Sequence, residues 1–280
     1  MATIEQAIIR DYPRLSLDDP ITFQCDRALD CFTLCCRDVS IVLTPYDVAR
    51  LKKALGIDSS EFLDQYTISP FTRDQKFPVV LLRMDPATKK CPFVTETGCS
   101  VYANRPWACR MYPLGVAEPR NATAADRTFH FLLREDICHG HGVGRTRTVR
   151  ECLAEQGLEE YEAMNASFKE LMLHESWDKE EALAPEKLDM YYMACFDLDR
   201  FRRFVFETRL LELFEIDEAR VEAVRTDDAE LLDLAMQWLR FALFREKTMK
   251  IKPSVAGAKR REMAGEINGT QMNAHQRRSD

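Results

Sequence analysis

The sequence lacks the features that would direct the chain to a membrane, a secretory route or nucleic acid. No stretch approaches the roughly 20 consecutive apolar residues that cross a bilayer. The opening segment, MATIEQAIIRDYPRLSLDDP, lacks the basic region followed by an apolar region that marks a secretory signal. The formal net charge is −7, so overall electrostatics do not favour nucleic acid. We therefore expect a cytoplasmic protein that binds neither a membrane nor nucleic acid.

Glycine is scarce, with 10 residues in 280, whereas cysteine reaches the same number. Nine of the ten cysteines precede residue 153, and four of them fall within CDRALDCFTLCCRD, residues 25 to 38. In a reducing compartment, thiols clustered in this way rarely form structural disulfides. Metal binding or catalysis is the better interpretation.

The spacing of the cysteines excludes the commonest thiol motifs. The chain has neither a thioredoxin-type Cys-x-x-Cys pair nor paired Cys-x2-Cys zinc knuckles. The Cys-x3-Cys-x2-Cys signature of radical S-adenosylmethionine enzymes fails, because Cys31 and Cys35 are followed by Asp38 at the third position. Such irregular spacing argues against a common zinc finger but not against metal binding in general.

Seven cysteines form two clusters, at 25–36 and 91–109, and an eighth lies in the segment DICHGHG. Thiolates hold zinc in tetrahedral sets of four, or hold iron–sulfur clusters such as [4Fe–4S]. Metal would also order the turn-rich segment 91–115, which apolar packing alone does not explain. The eight ligands serve either two four-thiolate sites or one site with cysteines to spare. The candidate metal ligands are Cys25, Cys31, Cys35, Cys36, Cys91, Cys99, Cys109 and Cys138.

Residues near these thiols are candidates for supporting roles. Arg37, Arg105 and Arg110 lie close to cysteines in sequence and would offset thiolate charge or donate hydrogen bonds to sulfur, unless they simply face solvent or bind phosphate. His139 and His141 are candidate extra ligands, with solvated loop histidines as the alternative.

A Gly-x-Gly-x-Gly run follows the last of the eight cysteines. Gly140, Gly142 and Gly144 predict a plain turn near the metal site, and the weaker alternative is a cradle for S-adenosylmethionine. Cys152 and Cys195 lie in helical patterns instead, so we interpret both as small buried apolar residues.

Short elements are predicted in the cysteine-rich part. A helix over 44–56 has a threonine cap, proline at the first helical position and a terminal glycine. A second, with a serine cap, covers 59–66. Strands are predicted at 39–43, 77–84 and 128–133.

The later part of the chain is predicted to be helical. Apolar periodicity indicates helices over 148–175, which Gly157 interrupts, over 187–216, and over 227–247 with an aspartate cap. The aromatic and methionine stripes of these segments are interpreted as helix core.

The fold class that these elements predict is α+β and predominantly α-helical. A cysteine-rich metal-binding lobe with short strands would pack on a C-terminal helical bundle. The metal-binding domain is placed at 20–145, the helical region at 146–250 and a disordered tail at 251–280.

Two stretches of the chain together resemble a known family. The earlier, FQC…CFTLCCRDVSIVLTPYDVARLK, departs from the family's Cys-x2-Cys-x2-Cys-Cys start by longer gaps. The later, CPFV…GCSVYANRPWACRMYPLG, agrees at many positions at once: Cys91, Pro92, Phe93, Cys99, Tyr102, Arg105, Pro106, Cys109, Arg110, Tyr112 and Pro113. Over roughly residues 23–140, the chain resembles the YkgJ-like cysteine-cluster family of zinc- or iron-chelating domains.

The resemblance implies a metal-chelating domain that holds zinc or iron. It also implies a relation to flagellin lysine N-methylases, which are similar in this cysteine region. The leading hypothesis is therefore a metal-binding protein, and the first alternative is a metal-dependent lysine N-methylase, with S-adenosylmethionine as cofactor, or a redox enzyme.

A further alternative is a metal-stabilised module whose helical half binds a protein partner. Arg200, Arg202 and Arg203, which lie among aromatic residues in FDLDRFRRFVFE, are the candidate surface for that partner. The competing interpretation of the three arginines is the solvated face of a packed helix.

Overall fold

The structure, a computed structural model, describes residues 12–70, 77–118, 128–179 and 183–254. Within these ranges the fold is α+β and mainly helical, as predicted. The helices are α1 (Pro45–Leu55), α2 (Ser59–Tyr66), α3 (Trp107–Met111), α4 (Val149–Glu155), α5 (Leu158–Met172), α6 (Ser176–Lys179), α7 (Pro185–Cys195), α8 (Leu198–Glu207), α9 (Leu210–Leu213), α10 (Glu218–Ala223) and α11 (Asp228–Phe244). The strands are β1 (Pro20–Phe23), β2 (Val42–Leu43), β3 (Thr67–Ile68), β4 (Val80–Leu82), β5 (Val94–Thr95), β6 (Gly98–Cys99), β7 (Leu114–Ala117), β8 (Phe129–Leu132) and β9 (His141–Thr148).

The strands form small antiparallel sheets. The order β2-β4-β3 makes a three-stranded sheet, and β1-β9, β5-β6 and β7-β8 are pairs. The three predicted strands are present as β2, β4 and β8, each shorter than expected. The long-range pair β1-β9 was not predicted, and its register runs from Pro20 opposite Thr148 to Phe23 opposite His141.

The caps of the first two helices show how local chemistry sets their ends. Thr44 and Asp47 form the capping box of α1, and Gly56 ends that helix with a φ of 69°. The predicted serine cap of α2 is wrong, because Asp58 is the N-cap and Ser59 is already helical. The Asp58 carboxylate accepts a hydrogen bond from the Glu61 N–H over 2.8 Å.

The helical half divides where polar or glycine residues interrupt the apolar pattern. Gly157 adopts a φ of 64° between α4 and α5, as the sequence predicted. A continuous helix over 187–216 is wrong, because the chain breaks between α7 and α8 and again before α9. The Asp197 carboxylate caps α8 and also accepts a hydrogen bond from the Ser59 hydroxyl over 2.7 Å. The hydrogen bonds of the Asp197 side chain therefore end one helix and begin the next, although the apolar pattern continues through this position.

One hydrophobic core includes residues from both sides of position 146. Leu51 and Phe62 are fully buried in it, and so are Phe201 and Leu239 from the helical half. No helix within the described part of the chain is long and apolar enough to cross a membrane.

A buried ion cluster joins α1 to α8 and α11. The Lys52 ammonium lies 2.9 Å from Asp199 and 3.0 Å from Asp228, and only 9% of the Lys52 side chain is exposed. Arg202 pairs with the same two carboxylates. Each buried charge therefore has partners of opposite sign, as buried ions require.

The start of the predicted tail belongs to the described fold. Ile251 pairs with Phe214 in an antiparallel bridge, and the Lys252 N–H donates to the Leu213 carbonyl over 2.9 Å. The rest of the predicted tail, residues 255–280, lies outside the described residues.

Candidate metal centre

The effects of the eight thiols on one another's pKa sort these predicted metal ligands into two groups, which adjoin at Cys35 and Cys36. The first thiol group consists of Cys25, Cys31, Cys35 and Cys138. The second thiol group consists of Cys36, Cys91, Cys99 and Cys109. The groups do not follow the order of the chain, because the adjacent Cys35 and Cys36 are divided and Cys138 joins the earliest cysteines.

Cys25 interacts with the other three thiols of the first thiol group. Cys25 is exposed as a residue, but its thiol is partly covered, and this partial burial raises the pKa of the thiol to about 11. The other three thiols of the group add to that rise. The backbone explains how they meet, since the Gln24 N–H at the end of β1 donates to the Gly140 carbonyl over 3.1 Å. This bond places the segment 24–36 next to the turn that carries Cys138, the fourth thiol of the group.

A short turn positions the thiols of segment 24–36. The backbone N–H of His139 donates to the Cys31 sulfur over 3.3 Å, and Cys31 is buried. A 3₁₀ turn over Leu34–Cys36 follows, and Thr33 precedes it with a left-handed φ of 68°. The turn presents two adjacent thiols to two different groups.

Cys35 and Cys36 form the junction between the groups. The Cys35 and Cys36 thiols act on each other, and this interaction lowers the pKa of Cys35 to about 7 and raises that of Cys36. The two thiol groups are therefore neighbours in direct contact.

Every thiol of the second thiol group is partly covered, whereas the first thiol group contains both an exposed and a buried thiol. Burial raises the pKa of the Cys109 thiol to about 12, and nearby Cys91 and Cys99 contribute to the rise. Burial also raises the pKa values of Cys91 and Cys99. Both of these residues pack against the main hydrophobic core.

Backbone hydrogen bonds bring the second thiol group together. The Cys91 N–H donates to the Cys36 carbonyl over 2.9 Å, and Cys99 lies in the β5-β6 hairpin. The helix α3, which carries the fourth thiol, is tied to α1 because the Trp107 N–H donates to an Asp47 carboxylate oxygen over 2.8 Å. Burial raises the pKa of Asp47 to about 6, although such backbone donors oppose the rise. The second thiol group is thus attached to a helix of the core.

The three arginines near the thiols differ in placement. Arg105 is buried beside Cys99 and Cys109, and burial lowers the pKa of its guanidinium. Arg110 is buried too, but it donates to backbone carbonyls, including that of Arg105 over 3.1 Å, and so supports the loop. Arg37 is exposed. Arg105 is therefore the arginine placed to offset thiolate charge in the second thiol group.

Tyr112 contributes a buried hydroxyl to the first thiol group. That hydroxyl has no hydrogen-bond partner of normal geometry among the described residues, but it faces the Cys138 thiol and Glu135. Burial and Cys138 raise the pKa of the phenol. A thiolate at Cys138 would accept a hydrogen bond from this hydroxyl and satisfy it. The arrangement fits a metal-bound thiolate at Cys138.

The two candidate histidines occupy different environments. The Nδ1 atom of His139 lies 2.6 Å from Oδ1 of Asp30, a residue that the sequence reasoning missed. His141 packs against the Phe23 ring instead, and burial lowers the pKa of its imidazole. No local pattern marks Asp30, because its partner lies 109 residues further along the chain.

The glycine run after Cys138 serves backbone packing. A Cβ atom at Gly140 would lie 2.3 Å from the Gln24 carbonyl oxygen, and one at Gly144 would collide with the Gln24 side chain. Gly144 also has a φ of 84°. Close approach to Gln24 explains these two glycines, so neither requires a bound cofactor.

The remaining two cysteines lie outside both thiol groups. Cys195 is fully buried in the main core at the end of α7. Cys152 packs on a smaller core that contains Val149 and Leu158. Their surroundings agree with the predicted role of small buried apolar residues.

The eight candidate thiols lie on loops, short turns, a short strand and a short helix of an α+β fold. Comparison with protein families finds a match over residues 24–139 to the family described as "CxxCxxCC: Putative zinc- or iron-chelating domain". Residues 24–139 thus match the cysteine-cluster family that the motifs predicted, and this match covers less than half of the chain. Searches of curated proteins and of solved structures find no match.

Proposed function

We propose that residues 24–139 chelate zinc or iron in two four-thiolate sites, one in each thiol group. The observation that carries the proposal is the approach of cysteine segments that are distant in the chain. The backbone N–H of His139 donates to the Cys31 sulfur, and the Cys91 N–H donates to the Cys36 carbonyl. Thiols of these segments also raise one another's pKa. Four thiolates are a complete ligand set for zinc or for an iron–sulfur cluster. The family match over the same residues supports metal binding.

The surroundings of both thiol groups support this function. Thiols that raise one another's pKa form thiolates reluctantly unless a cation lies among them. The Arg105 guanidinium would reduce the net negative charge of a four-thiolate site, and the Tyr112 hydroxyl would hydrogen-bond a ligand sulfur. When bound, zinc would supply folding free energy, whereas an iron–sulfur cluster would also supply electron transfer.

A reducing compartment such as the cytoplasm is part of the proposal. All ten cysteines are free thiols, including the contacting pair Cys35 and Cys36. Thiols kept reduced remain able to bind metal, whereas oxidation would remove them from both groups.

The test is metal content and a visible spectrum, measured on protein purified without oxygen. Wild-type protein should carry two zinc ions or two iron–sulfur clusters. Cys31→Ser should lose the metal of the first thiol group, and Cys109→Ser that of the second. Cys152→Ser is the matched control, because Cys152 is a half-buried thiol outside both groups, and it should keep both.

Colour and acid-labile sulfide would identify iron–sulfur clusters, and colourless protein with stoichiometric zinc would identify zinc sites. Wild-type protein that binds neither metal, even after reduction and anaerobic reconstitution, would overturn the proposal. Equal metal loss from Cys152→Ser and Cys109→Ser would overturn the assignment of ligands.

The two alternative functions remain predictions. Methylation requires S-adenosylmethionine binding, which calorimetry tests directly. Two of the three arginines proposed as a partner-binding surface on the helical half already form ion pairs within the protein. Arg200 pairs with Asp189 over 2.7 Å, and Arg202 belongs to the buried ion cluster, whereas Arg203 is exposed.

A further inference from the structure

The two thiol groups differ in their access to solvent. In the first thiol group Cys25 is exposed, and the flanking side chains of Asp30 and His139 are 79% and 53% exposed. In the second thiol group, all of whose residues the structure describes, every thiol is at least partly covered. A metal ion that arrives from solvent therefore meets the first thiol group first.

The exposed Asp30 and His139 side chains lie beside the buried Cys31 sulfur, so three different metal donors meet at this edge. A carboxylate oxygen, the thiol sulfur and an imidazole nitrogen all lie within 4.8 Å of one another. The Nδ1 atom of His139 already lies 2.6 Å from the Asp30 carboxylate. The backbone N–H of His139 donates a hydrogen bond to the Cys31 sulfur. All three donor types bind zinc, and imidazole and carboxylate also bind ferrous iron.

This set is more compact than either thiol group. Among the described residues, no three thiol sulfurs lie within 4.8 Å of one another. A zinc ion with Zn–S bonds of about 2.3 Å holds its sulfurs about 3.8 Å apart. The four thiols must therefore draw together around an ion, whereas the mixed set of three donors is already assembled.

Cys31 is a member of both arrangements. Its sulfur belongs to the first thiol group and also to the set with Asp30 and His139. An ion held by this sulfur can exchange its oxygen and nitrogen ligands for further thiolates without leaving the protein.

We propose that Asp30, Cys31 and His139 form a metal-uptake site for a free divalent ion, Zn²⁺ or Fe²⁺. The ion binds first to these three side chains and then passes to the other thiols of the first thiol group while Cys31 keeps hold of it. This inference rests on the proposed function, because it concerns how that group is loaded.

The transfer is balanced by protons and needs no oxidant or reductant. On uptake the Cys31 thiol releases its proton to solvent, and the imidazole proton shared with Asp30 moves to the other ring nitrogen of His139. On transfer, each remaining thiol that is still protonated releases one proton as it binds the ion. The carboxylate and imidazole then regain their hydrogen bond.

The experiment separates the rate of metal uptake from its extent. The full chain, reduced and freed of metal without oxygen, is mixed with Zn²⁺, or with Fe²⁺ if iron is the metal found. Loss of titratable thiols is followed with time, and final metal content is measured. Asp30→Asn with His139→Gln should slow uptake about tenfold or more, the scale on which supporting groups affect metal sites, and should leave the final content unchanged.

Asp18→Asn is the matched control, because Asp18 is an equally exposed carboxylate that pairs with Arg150 at 2.9 Å. It should load at the wild-type rate. His139→Gln alone provides a milder second variant, and thermal unfolding of each protein shows that it is folded.

Uptake by the double variant at the wild-type rate would overturn the inference. A lower final metal content reached at the wild-type rate would also overturn it, since Asp30 and His139 would then be permanent ligands. Failure of the wild-type protein to take up metal at all would instead contradict the proposed function.

Discussion

The thiol-bearing loops and the helical half obtain their structure in different ways. Near the thiols, β5 and β6 have two residues each, and α3 has five. In the helical half, α5 has 15 residues and α11 has 17. Long helices follow from apolar periodicity and bury a continuous face. The short elements attach to the cores through single side chains such as Phe93 and Val101, and the proposed metal–thiolate bonds would add cross-links between them.

The boundary between these two kinds of structure is not a single position in the chain. The helices α1 and α2 lie inside the family segment, yet Leu51 and Phe62 are fully buried in the core that the helical half completes. The ion cluster around Lys52 ties α1 to that core as well. The division therefore separates core helices from thiol-bearing loops, and both kinds occur before residue 146.

Removal of metal should have the largest effect and should be confined to the loops. A chelator with reductant should abolish amide-exchange protection over 24–38 and 91–113, because metal–thiolate bonds contribute on the order of 10 kcal/mol per site. Amides of α11 should stay protected by the core. Hydrogen exchange read by mass spectrometry measures both, and equal protection of the loops before and after verified metal loss would contradict the comparison.

A cavity in the core should destabilise the helices without affecting metal. Leu239 is fully buried on α11, so Leu239→Ala should lower the free energy of unfolding by about 2–5 kcal/mol. Metal content should stay at the wild-type value. Leu173→Ala, at an exposed leucine, is the control and should cost much less. Metal loss from Leu239→Ala, measured on the folded protein, would show that loops and core are not separable.

Acid should weaken the ion cluster that joins the core helix α1 to α8 and α11. Burial alone would raise the pKa of Asp199, but the Lys52 ammonium, the Ser59 N–H and Arg202 outweigh burial and hold the pKa below its ordinary value. Because the folded pKa is the lower one, this stabilisation is present above the unfolded pKa of about 3.9 and is lost as pH falls through the folded pKa.

Denaturant unfolding at several pH values tests this interaction. The difference in unfolding free energy between wild type and Asp199→Asn should shrink as pH falls below about 4. Asp18→Asn, at an exposed carboxylate, should show little such difference at any pH. A constant difference between wild type and Asp199→Asn across the acid range would disprove the assignment.

Replacement of the capping threonines should give the smallest losses of unfolding free energy, and the losses should be similar for α1 and α4. Thr44 of α1 and Thr148 of α4 each form a capping box, with Asp47 and Glu151. Replacement of either threonine by alanine should cost about 1 kcal/mol of unfolding free energy. Thermal or denaturant unfolding measures both variants, and metal content should not change. A several-fold larger cost for Thr44→Ala would mean that this cap also supports the nearby second thiol group.

Much of the fold could be predicted because its signals are local. Thr44 and Gly56 delimit α1, and Gly157 separates α4 from α5, since caps and left-handed positions depend on neighbouring residues alone. The break at Asp197 could not be predicted, because its carboxylate also bonds Ser59, which lies 138 residues away. The pair β1-β9 was missed for the same reason.

The sequence by itself determined the chemical class of this protein. Clustered thiols, together with the later motif that runs from Cys91 to Pro113, indicate metal chelation whatever the fold, because thiolate chemistry belongs to the residue. Only the tertiary structure decided how those thiols divide and what surrounds them. Cys35 and Cys36 enter different groups, and Asp30 meets His139, because a 3₁₀ turn and the contact of β1 with the turn at Gly140 bring distant segments together.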